Sequence, residues 1–131
     1  MSIPKGQSQY IQLIIKSAKF NSNYGIWGDQ SPYIIIKHGE NAWKTTVKKS
    51  AGLNATWDEK FVIQPFDPEG KIMFNAFGKN LMSDDFLGNA KDIEIKELSV
   101  GTETYYLPIR DFSDEGQLVV DITLSEPAKT I

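Results

Sequence analysis

Cysteine is absent from these 131 residues. That excludes a disulfide framework and any thiolate metal site, and it accords with the cytoplasmic setting expected for this chain. No apolar run approaches the ~20 residues that a membrane-spanning helix needs. Met1-Ser2-Ile3-Pro4-Lys5 carries no apolar signal core, and Ser2 stands where N-myristoylation requires glycine. Histidine occurs once, as His38 beside Gly39, and there is neither a Gly-x-Ser-x-Gly segment nor a Gly-rich phosphate loop. The adjacent acids Asp58-Glu59 and Asp114-Glu115 point apart if they lie on strands, so they make no catalytic pair. No enzymatic activity is expected. Long basic runs and nucleic-acid motifs are also missing, which argues against a nucleic-acid partner.

What the chain does contain is β-forming sequence. Tyr10 to Lys16 places Ile11, Leu13 and Ile15 on one face. Tyr33 to Lys37 follows, ending at the turn cluster His38-Gly39-Glu40-Asn41. Trp43 to Lys48 alternates, with Trp43, Thr45 and Val47 facing one way. Further strands are expected at Trp57–Gln64, Lys71–Phe77, Ala90–Ile95, Glu103–Leu107 and Gln117–Leu124. Asp67-Pro68-Glu69-Gly70 and Asp114-Glu115-Gly116 read as turns, because Pro presets φ and Gly tolerates positive φ. These eight short strands, with no convincing amphipathic helix between them, predict an all-β, eight-stranded antiparallel β-sandwich. Length allows one domain over residues 1–131, with its core at about 9–125 and loose ends at 1–8 and 126–131. Trp57, Phe61 and Tyr33 are expected in the core.

Charge is unevenly distributed. Residues 1–66 hold 8 Lys against 4 acids, and residues 67–131 hold 6 basic groups against 13 acids. The first half is therefore suited to meet an anionic partner.

Several segments, in order along the chain, resemble one known family. Leu13-Ile14-Ile15-Lys16-Ser17-Ala18 is similar to the opening strand of C2 domains. Ser31-Pro32-Tyr33-Ile34 resembles their Asp-Pro-Tyr-Val segment, and Lys44-Thr45-Thr46-Val47 their Lys-Thr-x-Val strand. Asn54-Ala55-Thr56-Trp57-Asp58-Glu59-Lys60-Phe61 is similar to Asn-Pro-x-Trp-Asn-Glu-x-Phe. Asp84-Asp85-Phe86-Leu87-Gly88 matches Asp-Asp-x-Leu-Gly, and Leu107-Pro108-Ile109 resembles a late Leu-Pro-Leu segment. The resemblance runs from about Tyr10 to Leu124. An early opening strand and a clear closing one resemble the family's second topology, the circular permutant typified by phospholipase C.

The resemblance implies a module that docks on membranes, commonly through calcium held by aspartates of the first and third tip loops. Here those positions fall on Gly25 and Ser31 in the first loop and on Phe77, Lys79 and Asp85 in the third. Calcium takes 6–8 oxygen ligands, several of them carboxylates, so one matched aspartate predicts little or no calcium binding. Asp29 and Asp84, with Asp85, are the residues that would serve if a cation bound. The tips offer a second means of docking: Ile26, Trp27, Leu81 and Met82 would insert into the membrane interface. Lys44, Lys48, Lys49 and Lys79 would contact anionic headgroups, with Lys37 close by. The expected function is therefore a non-catalytic, peripheral membrane-targeting module for anionic phospholipid, needing no cofactor. Two alternatives stand beside it, a protein-interaction scaffold and a calcium-dependent lipid binder with displaced ligands.

Overall fold

The computed structural model describes residues 9–21, 23, 28–110 and 115–127. Within them the β-branched and aromatic runs form nine strands, all paired antiparallel. These are β1 (Ile11–Lys19), β2 (Pro32–His38), β3 (Asn41–Lys44), β4 (Asn54–Ile63), β5 (Lys71–Gly78), β6 (Asp85–Ala90), β7 (Ile93–Glu94), β8 (Gly101–Arg110) and β9 (Glu115–Leu124). The pairing order is β3-β2-β5-β6-β8-β9-β1-β4, with β7 set against β5. The path folds into two layers, β3-β2-β5-β6 and β8-β9-β1-β4. They join where β6 and β8 share only two pairs, Asn89↔Arg110 and Ala90↔Ile109.

Alternation fills the space between the layers, as a sandwich core requires. Ile11, Leu13 and Ile15 of β1 meet Leu118, Val120 and Ile122 of β9, Ile34 and Ile36 of β2, and Ile72 and Phe74 of β5. Trp57 joins them and satisfies its indole by donating Nε1–H to the Thr46 carbonyl at 2.8 Å. Of the other expected core residues, Tyr33 is buried and Phe61 sits differently. Phe61 is only half-buried and packs against the core margin. Tyr33 is buried on the opposite face of β2 from Ile34, where its ring stacks on Phe77 at 5.8 Å and Phe77 meets Phe86 edge-on at 5.9 Å.

The strand expected at Ala90–Ile95 is a correction. Its residues close β6, form the two-residue β7 and begin a 3-10 turn at Ile95–Glu97. β6 pairs with the end of β5, whereas β7 pairs with its start through Lys71↔Glu94 and Ile72↔Ile93. One straight strand cannot serve both places. Ile93 and Ile95 are both buried, so the period-two signal was sound but spans two elements. Conversely, Asp85–Ala90 is a strand that alternation did not reveal, because Gly88 interrupts it at φ 137°. A Cβ there would lie 2.8 Å from the Arg110 carbonyl oxygen, so glycine is what lets β6 approach β8.

β3 ends at Lys44, short of the expected Lys48. The buried Thr45 hydroxyl takes the Ile34 N–H at 2.9 Å, a side chain standing in for the next ladder bond. Two of the expected turns form, whereas the third is a correction. Gly39, at φ 58°, and Glu40 close the β2–β3 hairpin. Asp67 accepts the Glu69 N–H through Oδ1 and the Gly70 N–H through its carbonyl, both at 2.9 Å. Glu115 and Gly116 already belong to β9, while Asp114 lies outside the described residues. The buried His38 is structural: its Nε2 accepts the Asp67 N–H at 3.0 Å and its Nδ1–H donates to the Lys71 carbonyl at 2.9 Å.

Candidate functional site

Strand directions bring the connections 20–31, 45–53 and 79–84 to one end of the sandwich. Ser31, just before β2, holds this apex together. Its carbonyl accepts the Lys79 N–H at 2.9 Å, and its hydroxyl accepts the Ser50 N–H at 2.9 Å. Gln30 adds a buried clamp, since its amide donates to the Gly52 carbonyl at 2.9 Å while its own carbonyl accepts the Gly52 N–H at 3.0 Å. Asn23 ties the first connection back on itself, accepting the Gln30 N–H and donating to Asp29 Oδ1, each at 2.9 Å. Through Gln30 and Ser31 the described parts of the three connections are cross-braced by both backbone and side-chain hydrogen bonds.

The third connection presents Leu81 and Met82 to solvent, 94% and 96% exposed. The acids around them anchor the loop. Asp84 accepts the Tyr33 hydroxyl and the Asn80 N–H at 3.2 Å, and it lies 3.7 Å from the Lys79 ammonium. Asp85 accepts the Asn80 side-chain amide at 2.6 Å. The Tyr33 hydrogen bond holds Asp84 below the usual carboxylate range, outweighing its partial desolvation, with help from Asn80, Lys79 and Lys44. Burial, then the hydrogen bond and charge of Asp84, push Tyr33 up to about 12.

The predicted cations are dispersed around this loop. Lys79 is exposed at its foot. Lys44, on β3, is exposed and places Nζ 4.2 Å from the Tyr33 ring centroid, a cation–π contact. Lys37 projects from β2, Lys49 is exposed in the second connection, and Lys48 beside it is half-buried. Lys44 and Lys79 are brought together through Tyr33 and Asp84. Ile26 and Trp27, the other predicted insertion residues, lie outside the described residues, as does Gly25. Tyr33 and Asn80 were not foreseen as site residues. The signal that could have found Asn80 is its place next to Lys79 in a short loop with two acids, where an Asn amide can bridge them.

A calcium ion would need several carboxylate oxygens free to converge. Among the described residues, no group of three or more His, Asp or Glu side chains could hold a metal. Asp84 is committed to Tyr33, Asn80 and Lys79, Asp85 to Asn80, and Asp29 to Asn23. No helix among the described residues is long and apolar enough to cross a membrane.

A model of the C2 domain family matches residues 9–107. In Drosophila melanogaster, the E3 ubiquitin-protein ligase Nedd-4 is 29% identical over 106 residues, covering 75% of this chain and 10% of that protein. The Drosophila multiple C2 and transmembrane domain-containing protein is 29% identical over 104 residues, covering 74% of this chain and 11% of that one. The matched region thus spans about a tenth of the length of these curated relatives. Among solved structures, a C2 domain of plant extended synaptotagmin 1 has a TM-score of 0.82 at 22% identity, covering 94% of this chain and 98% of the other. Human GIVD cytosolic phospholipase A2 has a TM-score of 0.75 at 14% identity, covering 92% of this chain and 17% of the other. At such identities the structural likeness is one of fold.

Proposed function

The chain belongs to the C2 domain family, and from that premise we propose that it is a module docking on anionic phospholipid with little or no need for calcium. C2 domains are typically membrane- or protein-binding modules, non-catalytic in themselves. We read residues 1–131 as one such module, peripheral on a cytoplasmic membrane face. We read its topology as the family's second, circularly permuted one.

The observation that carries the proposal is the pair Leu81 and Met82, exposed on a loop whose acids are spent bracing it. Burying two such side chains supplies about 3–5 kcal/mol before association costs. That is too little for stable docking by itself. Lys44, Lys48, Lys49 and Lys79 supply the rest, each worth about 1 kcal/mol near an anionic surface at modest salt. Ile26 and Trp27 would add to the apolar wedge.

Calcium is not needed in this mechanism, because the loop is already held by Tyr33, Asn80 and Lys79. A structural neighbour, extended synaptotagmin 2, has been solved with calcium bound, at 20% identity and a TM-score of 0.73. In this chain, two of the positions to which the family resemblance assigns the metal hold Phe77 and Lys79.

Co-sedimentation with phosphatidylserine-containing vesicles tests the proposal. Binding should persist in chelator, weaken as salt rises, and fall when Leu81 and Met82 become polar. Binding that disappears in chelator overturns it in favour of the calcium-dependent reading.

A further inference from the structure

The other notable surface lies away from the apex, along β8. This strand pairs with β9 over its whole length, from Gly101↔Leu124 to Arg110↔Glu115. On its other side it pairs with β6 only at Ile109 and Arg110, supplemented by the Lys91 N–H donating to the Pro108 carbonyl at 3.1 Å. Residues 101–107 therefore present a strand edge that no described strand covers, roughly 23 Å long at 3.3 Å per residue. Between that edge and the β7 segment lies a groove of 1190 Å³.

The sandwich guards its other long edges. β3 is only four residues long. β4 carries Lys60 and Asp58, the latter at φ 52°, and its register with β1 shifts between Ile15 and Ser17. Short strands, lysines and bulges are the usual means of blocking an added strand. The stretch Gly101-Thr102-Glu103-Thr104-Tyr105-Tyr106-Leu107 has none of them. It holds no lysine, proline or recorded bulge, and its Thr and Tyr residues favour extended pairing.

Charge indicates what the edge would accept. Asp92, Glu94, Glu97 and Glu103 line the groove, against Lys91 and Arg110 beside the β6 corner. Asp92 is neutralised by Lys71 at 3.2 Å. Among the described residues, Glu94, Glu97 and Glu103 make no ion pair. Met73 and Leu98 give the same groove apolar footing.

We propose that the β8 edge docks an extended, lysine- or arginine-bearing peptide segment of a protein partner. The segment pairs its backbone with residues 101–107 and sets its cations against Glu94, Glu97 and Glu103. Alternate residues face the groove, where the apolar ones meet Met73 and Leu98. This surface is separate from the lysines and loop tips assigned to lipid, so the two docking events are independent.

The test uses an array of capped ten-residue peptides alternating Val or Thr with Lys, Ser or Glu, titrated into the full chain. Lysine-bearing peptides should bind about tenfold more tightly than glutamate-bearing ones. Amide shifts should concentrate on Thr102 to Tyr106. Methylating alternate peptide nitrogens should abolish binding, because the ladder bonds are lost. The triple variant Glu94→Gln, Glu97→Gln, Glu103→Gln should lose the charge preference while vesicle binding stays intact. The proposal falls if no peptide in the array binds, or if binding ignores charge or N-methylation. It falls equally if shifts gather at the apex, as lipid-like contact would give, or if sedimentation shows that the edge pairs with a second copy of the chain.

Discussion

At the scale of single residues, Tyr33 and Asp84 organise the apex, and their titrations point in opposite directions. Asp84 is depressed in the folded protein, so its contribution is full above the unfolded carboxylate pKa and is lost as pH falls through the folded value. Tyr33 is raised to about 12, so its contribution is full below the ordinary value of 10.0 and is lost as pH climbs through about 12. Carboxylate NMR should show Asp84 titrating below an ordinary aspartate, and Tyr33→Phe should return it toward the usual range. The same substitution should cost about 1–3 kcal/mol in urea unfolding at neutral pH, since it removes a donor from a charged acceptor. Leu81→Asp with Met82→Asp behaves differently. Both side chains are exposed, so stability should change by less than about 0.5 kcal/mol, while vesicle affinity should fall at least tenfold. Leu81 and Met82 were legible in the sequence because two large apolar residues in a polar turn have nothing local to pack against. The Tyr33–Asp84 bond was not, because its partners stand 51 residues apart and meet only once β2, β5 and β6 are aligned.

At the scale of elements, close backbone approach decides what is tolerated. A Cβ at Gly116 would lie 2.2 Å from the Lys19 carbonyl oxygen, and one at Gly88 2.8 Å from that of Arg110. Gly116→Ala and Gly88→Ala should each cost more than about 2 kcal/mol, read as a lower urea midpoint at an unchanged slope. Gly39→Ala serves as the control. It also has positive φ but open space around it, so only the conformational penalty of about 1 kcal/mol applies. Strands with a buried stripe, such as Ile11–Lys19 and the closing strand to Leu124, were evident from alternation. β6 was not, because Leu87 and Gly88 are buried in succession, which breaks the period that a half-buried strand writes into its sequence. β7 failed for a complementary reason: two residues are too few to carry any period.

For the whole molecule, the uneven charge of the two halves becomes spatial. Lys37, Lys44, Lys48 and Lys49 sit on or above the β2–β3 side, while the acids of the second half include those of the β8 groove. Replacing Lys44, Lys48 and Lys49 together with alanine should weaken vesicle binding on the order of 100-fold at modest salt, and far less at high salt. A calorimetric titration with calcium should be flat at millimolar metal. The sandwich and the family were readable because order and spacing of short segments survive substitution; how the acids are spent was not, because a carboxylate's partner is a matter of geometry. Ser31 gives this picture its last consequence. One serine grips the neighbouring turns on either side, so in the docking proposed above they would not yield separately. The tip should enter as a rigid peg, reaching only as deep as Leu81 and Met82 extend. Ser31→Ala, which releases only the Ser50 side, should slacken the peg and blur that depth, an effect that quenching by lipids brominated at graded positions would register.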